Sequence, residues 1–311
     1  MTAPRPPGAE AGVLDARAVR RAFSRAAATY DSAAVIQREV GARMAERLDV
    51  VKLAPVAVLD AGCGTGDALR ELSVRYPKAS RVALDVALPM LAAARTRTGP
   101  PASRFTRLVG MVRGDDRPAL PPAYVCADIA ELPFTGGAFD LVWSNLALQW
   151  VNDLPAAFVE FSRVLKVGGL ASFTTLGPDT LKEIRAAFAG VDSHTHVNRF
   201  ADMHDVGDML VHAGFADPVM DMEHLTLTYA DASTMLRDLR AIGATNVTRD
   251  RPRGLMGRGR WRRAHAALES MRRDGRIPAT FEVIYGHAWK TPPTRTAEGL
   301  PIVRIEHRPR E

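Results

Sequence analysis

The chain has 311 residues, 47% of them apolar, a formal net charge of +6 and two cysteines, Cys63 and Cys126. That is enough apolar material for one large domain and too little cysteine for a disulfide framework, so a reducing, cytoplasmic setting is expected. No apolar run approaches the roughly 20 residues of a membrane span, and residues 1–14 read as a disordered tail without the apolar stretch of a signal peptide.

Residues 15–50 carry a helical pattern, with Phe23, Tyr30, Ile36 and Met44 among alanines and charges, and are expected to form an N-terminal helical cap. "PVAVLDAG" then reads as a buried strand, and "DALRELSVRY" as a helix that Pro77 ends. "SRVALDVA" is a second strand with Asp85 near its C-terminal end. "LPMLAAAR" starts the next helix, with Pro89 tolerated in the first turn. Residues 97–122, rich in Gly, Pro and Arg, read as an irregular insertion. "AYVCADIAELPF" is a third strand and loop, and "FDLVWSNLALQWV" a fourth strand leaving through a loop. "NDLPAAFVEFSRVLKVGG" is a helix for which Asn152 is the expected cap and Gly168 and Gly169 the expected stop, and "LASFTTLGP" is a fifth strand. The pattern continues as helix 205–213, strand 219–229, helix 233–242, a basic loop, helix 261–273 and strand 281–288, then a tail over 291–311.

Strands alternating with helices imply a doubly wound α/β sheet, mostly parallel, with the last two strands forming an antiparallel edge. Ligands of such sheets lie beyond the C-terminal strand ends. Gly62–Gly66, Asp85, Asp128 and Ser144–Asn145 are therefore expected around one crevice. The positive charge is concentrated: residues 231–276 hold 12 arginines and five acids, and the rest of the chain is close to neutral. Such a segment is either a set of solvated helix faces or a dock for an acidic partner.

The turn "GCGTGD" is not a dinucleotide fingerprint. Its glycines, Gly62, Gly64 and Gly66, are spaced G-x-G-x-G, and Asp67 follows where a pyrophosphate would be repelled. A ligand without phosphate and with a cationic amino acid end suits it better, Asp60 supplying the negative charge. Asp85 is placed to accept two ribose hydroxyls, with Val86 adjoining. Asp128 can accept from an adenine amine, with Ile129 beside the ring.

These motifs, "VLDAGCGTG", "LD" at Asp85, "ADIAELPF" and "FDLVWSNLALQWV", resemble the class I S-adenosylmethionine-dependent methyltransferases in order and spacing. The resemblance implies a Rossmann-like methyltransferase domain over 15–290, with a helical cap (15–50), a lid insertion (178–204) and a basic helical elaboration (231–276). It also implies S-adenosylmethionine as cofactor. Cys63, inside the turn, is expected to fill space beside that ligand. "SNLALQWVNDLPAAFVEFSRVLKVGG", "FTTLGPDTLKEIR", "HVNRFADMHDVGDMLVHAGFADPVMD", "YGHAW" and "AFSRAAATYDSAAVIQREV" are further similar to the malonyl-acyl-carrier-protein O-methyltransferases of biotin synthesis. That family methylates the free carboxylate of a malonyl thioester, which needs alignment and water exclusion but no strong base. Arg199 is then the candidate to hold the carboxylate, or a surface arginine paired with Asp202. Tyr30 and Gln37 would close over the cofactor, Tyr30 alternatively being a packing tyrosine. Asn145, Leu146 and Gln149 would line the acceptor pocket, with His196 bonding within the lid or touching substrate. The spacing of His194, His196 and His204 fits no zinc pattern, and no metal is expected. The acidic acyl carrier protein would dock on the arginine-rich face, whose one aromatic, Trp261, makes a nucleic-acid platform a poor fit. Methylation of a quinone precursor and a methyltransferase-like assembly factor acting on protein arginine are the alternatives.

Overall fold

Seven strands of 4 to 15 residues form one sheet, strand order β3-β2-β1-β4-β5-β7-β6. The computed structural model describes residues 12–99, 121–251, 254 and 256–292. The strands are β1 (Ala57–Ala61), β2 (Ser80–Asp85), β3 (Ala123–Cys126), β4 (Phe139–Ser144), β5 (Leu165–Leu176), β6 (Phe215–Tyr229) and β7 (Ile277–Lys290). The first five pair in parallel, and β7 runs antiparallel to both neighbours, β5 and β6. The expected antiparallel edge is there, with β7 inserted one place in and β6 outermost. The insertion expected at 97–122 lies almost wholly outside the described residues.

Helices cover both faces: α4 (Asp67–Arg75), α5 (Leu88–Thr98), α6 (Leu154–Val164), α7 (Lys182–Ala189), α8 (Met203–His212), α9 (Ala232–Ala241) and α10 (Arg258–Ser270). Two apolar layers result. Phe158, Phe161 and Phe173 fill one together with Val142, and Met44, Trp143, Met235 and Val283 belong to the other. The chain order reverses at β1, flanked by β2 on one side and β4 on the other. That switch point is where the C-terminal strand ends leave a crevice.

Three boundaries differ from those the sequence implies. The segment 15–50 breaks into α1 (Ala16–Ala26), α2 (Tyr30–Ala33), α3 (Val35–Arg47) and a 3-10 turn (Leu48–Val50). Thr29 Oγ donates to Ala26 O and to Ala241 O, ending α1 and tying the cap to α9. Asp153, not Asn152, caps α6 by accepting from Ala156 N at 2.9 Å. Asn152 is engaged elsewhere: its Oδ1 accepts from Leu14 N at 2.7 Å and its Nδ2 donates to Leu14 O at 3.0 Å. Leu14, expected within a loose tail, is accordingly buried and bridged to Thr248. Finally, α6 stops at Val164 rather than at Gly168–Gly169, because Leu165 already pairs with Phe139 in the sheet. No helix among the described residues is long and apolar enough to cross a membrane.

Removing the Asn152 side chain abolishes two long-range bonds to one backbone residue, each worth about 1 kcal/mol. Asn152→Ala is expected to lower stability by roughly 1–3 kcal/mol in urea unfolding and to lose amide-exchange protection at Leu14. Unchanged protection there would contradict the assignment.

Candidate active site

The loop after β1 is held close to the sheet. Gly62 N and Cys63 N both donate to Leu84 O, at 2.8 and 2.9 Å, which turns the chain sharply. Gly62, Gly64 and Gly66 all take positive φ, at 85°, 52° and 83°, where a side chain is strained. A Cβ on Gly62 would also overlap that of Ala147, which follows β4. The glycine turn, the end of β2 and the loop after β4 thus wall one cleft of about 720 Å³, lined by Gly62, Asp85, Val86, Met90, Asp128 and Ile129 among others.

Three acids shape its electrostatics. Asp60 is 1% exposed, its Oδ2 has no hydrogen-bond partner, and burial, then Asp85, then Asp67, push its carboxyl up to about 8 from 3.8. Asp85 receives Gly64 N on Oδ2 at 3.0 Å and Ala87 N on Oδ1 at 2.8 Å. Each bond uses one lone pair, so each oxygen keeps another for a ligand. Burial raises its pKa, and these backbone donors counter the shift. Asp128 Oδ1 accepts from Ala130 N at 2.9 Å, leaving Oδ2 for a ligand. Cys63 is buried and its thiol is pushed well up by burial, so it fills space. Asp67 pairs with Arg97 at 3.3 Å, and Arg97 also pairs with Asp31 of the cap at 3.1 Å. Thr65 Oγ donates to the same Asp31 oxygen at 2.6 Å, so α2 is latched over the glycine turn.

Tyr30 stands where three spaces meet. It lines the cleft, a second space beside Asp60, Gln37, Arg38 and Arg97, and a third, larger cavity of about 1240 Å³ under α7 and α9. Burial raises the Tyr30 pKa, and Asp85 adds to the shift, so the phenol stays protonated. Asn145 is fixed, donating to Gln37 O at 2.9 Å and accepting from Thr174 Oγ at 2.8 Å. Leu146 holds a left-handed φ of 47° at the mouth of both main spaces. Strain of this kind persists only where surrounding contacts over-determine it. Gln149 donates to Leu146 O at 2.8 Å, and its Oε1 is buried without a partner.

The third cavity is mostly apolar, with Leu181, Phe188, Phe200 and Phe281 in its wall. His196 lines it, with Nε2 bonded to Asp192 Oδ1 at 2.8 Å and the ring stacked on Phe188. Burial works against the Asp192 charge, but bonds from His196 and the His194 backbone hold its carboxyl below the ordinary value. Arg199 is not brought to this site. It is exposed, its side chain lies against Gly12, and it is absent from the linings of the cavities just described. Arg240, at the end of α9, lines the third cavity. Arg97 was not evident as a site residue from the sequence, and Arg240 was expected only as part of the arginine-rich docking face. Arg97 begins the segment read as an insertion, and Arg240 is one of many arginines in its region. No cluster of His, Cys, Asp and Glu among the described residues could hold a metal ion.

Residues 59–173 match a family profile described as a methyltransferase domain. The malonyl-[acyl-carrier protein] O-methyltransferase of Gallionella capsiferriformans is 55% identical over 94% of this chain and 97% of its own length. That of Laribacter hongkongensis is 56% identical over 90% and 91%. This chain belongs to that family. In fold it is similar to a Bacillus halodurans protein proposed to be a methyltransferase, with a TM-score of 0.55 at 19% identity over 81% of this chain and 100% of that one.

The residues present fit S-adenosylmethionine. The orphaned Asp60 oxygen suits an ammonium, the two free lone pairs of Asp85 suit a ribose diol, and Gly62 gives backbone access. Arg38 and Arg97 line the side where an amino acid carboxylate would lie.

Asp85→Ala is expected to weaken S-adenosylmethionine binding about 10- to 100-fold by calorimetry, the worth of hydrogen bonds to a charged group. The pH dependence follows from Asp60, whose pKa in the folded chain, about 8, exceeds the ordinary 3.8. Between these values the folded state holds a proton that the unfolded state has lost, so this group's contribution makes stability fall as pH rises through that window. An ammonium needs the ionised form, so cofactor affinity is expected to strengthen from pH 6 towards 8. Asp60→Asn should flatten both slopes; slopes that survive the substitution would refute the Asp60 assignment.

Proposed function

We infer that the chain transfers a methyl group from S-adenosylmethionine to the free carboxylate of a malonyl group carried on acyl carrier protein, forming a methyl ester. The observation that carries this reading is the mostly apolar acceptor cavity, which shares Tyr30 with the cofactor cleft, in a chain more than half identical to malonyl-[acyl-carrier protein] O-methyltransferases. S-adenosylmethionine, when bound, supplies an electrophilic methyl carbon. A carboxylate is already a nucleophile, so the protein's work is to align it and keep water out. Tyr30 and Leu146 line both spaces, and Leu181, Phe188 and Phe200 keep the acceptor side dry. His196 and Gln149 supply polar contacts there. Masking the charge of a malonyl unit lets it be extended as an apolar chain, in keeping with a step towards pimeloyl and biotin.

The carrier dock of this reading is α10. Arg258, Arg260, Arg262 and Arg263 are exposed, and none makes an ion pair among the described residues. Arginines in the first turns of a helix oppose its dipole, so they do not serve helix stability. Trp261, on the same helix, lines the acceptor cavity, which supports a dock on this helix. An acidic protein would dock there with salt-sensitive affinity.

Intact-mass spectrometry tests the acceptor. Malonyl-acyl carrier protein incubated with enzyme and S-adenosylmethionine should gain one CH₂, and the unmalonylated carrier should not. No gain, with cofactor binding intact, would discard this acceptor and send the search to quinone precursors and protein arginine. Arg262→Glu with Arg263→Glu should lower kcat/KM on the carrier substrate about tenfold or more at low salt, the scale of lost steering, with cofactor affinity unchanged.

A further inference from the structure

The acceptor cavity contains one permanently charged side chain among the described residues that line it, Arg240. No carboxylate lines it. Among the described residues the Arg240 guanidinium makes no ion pair and no hydrogen bond, whereas Arg43, Arg47, Arg97, Arg163, Arg251 and Arg272 all have carboxylate partners. Arg240 is exposed and lines the cavity, so it stands where an anion entering from solvent would meet it.

Its position relative to the chemistry is fixed by the cap. Arg240 is the penultimate residue of α9, and the next carbonyl, Ala241 O, accepts from Thr29 Oγ at 2.9 Å. Thr29 directly precedes Tyr30, the side chain shared by cofactor cleft and acceptor cavity. Two residues further on, a Cβ at Gly243 would press on the Phe23 ring of α1, so the end of α9 is seated against the cap. The backbone that carries Arg240 is therefore tied to the element that carries Tyr30.

We propose that Arg240 is the residue that receives the free carboxylate of the methyl acceptor. The proposal rests on the carboxyl-methylation reading above. A guanidinium fork pairs with a carboxylate in a fixed plane. Since each carboxylate oxygen has two lone pairs, the fork orients the group while leaving a lone pair on the attacking oxygen. Arg199, expected in this role from the sequence, does not line the cavity.

A cation in the last turn of a helix also favours the helix dipole, so the test must separate holding a substrate from holding a helix. It uses malonyl-acyl carrier protein as methyl acceptor and acetyl-acyl carrier protein, which lacks the carboxylate, as competing ligand. Arg240→Ala is expected to raise KM for the malonyl form about 10- to 100-fold, the worth of charge-assisted bonds, with the acetyl form's inhibition constant and cofactor affinity unchanged. Arg240→Lys, which keeps the charge at the helix end but not the fork, should recover the melting temperature and only part of the KM. Arg95→Ala, an exposed arginine in the last turn of α5 outside both the cavity and the arginine-rich face, should match the wild type. An unchanged KM for Arg240→Ala would overturn the proposal. So would equal weakening of the malonyl and acetyl forms, which would mean that Arg240 holds the carrier or its phosphate, and so would a parallel loss of cofactor affinity. If the wild type methylates malonyl-acyl carrier protein, these outcomes count against Arg240 alone; if it does not, the carboxyl-methylation reading falls and Arg240 with it.

Discussion

A side chain on Gly62 would occupy the space of the Ala147 methyl. That closeness holds the end of β1 against the loop leaving β4, and the site depends on it. Both strands end at the switch point of the sheet, so the approach brings the glycine turn, Asp85 at the end of β2 and Asn145–Leu146 after β4 into one cleft. The two bonds that Leu84 O accepts from Gly62 and Cys63 keep the turn from drifting away.

On this frame the protein places groups in states they would not adopt in water. Asp60 is buried with an unpaired oxygen, and Leu146 and Leu181 hold left-handed backbone angles beside the acceptor cavity. Buried polar groups without partners and strained non-glycine residues are costly and gather where a ligand relieves them. The cap completes the enclosure from outside the sheet. It is attached by few polar links: Asp31 with Thr65 and Arg97 on the turn side, and Thr29 with Ala241 on the α9 side. Their partial exposure makes them modest individually.

What the sequence revealed was local. Asp60, the three glycines, Asp85 and Asp128 each lie at or just after the C-terminal end of a strand whose apolar run and turn residues are contiguous, and the fold brings such ends together by rule. What it concealed was long-range. Asn152 and Asp153 are both acceptable caps, and only the distant Leu14 decides between them. Gly168 and Gly169 look like a helix stop, yet sheet pairing at Leu165 takes over sooner. Arg199 and Arg240 are both arginines in the right half of the chain. No periodicity tells that the loop of Arg199 turns outward to Gly12, or that α9 docks its end on the cap. α7 was hidden because its start needs a left-handed Leu181, which no residue preference announces.

The most direct measurement is a calorimetric titration of S-adenosylmethionine into the wild-type chain and into Gly62→Ala, with circular dichroism to confirm that both are folded. If the approach of Gly62 to Ala147 builds the cleft, the wild type binds one equivalent and the variant, still folded, loses about 100-fold or more in affinity, since backbone strain and overlap of this kind cost a few kcal/mol. A folded Gly62→Ala that binds the cofactor as the wild type does would contradict the account.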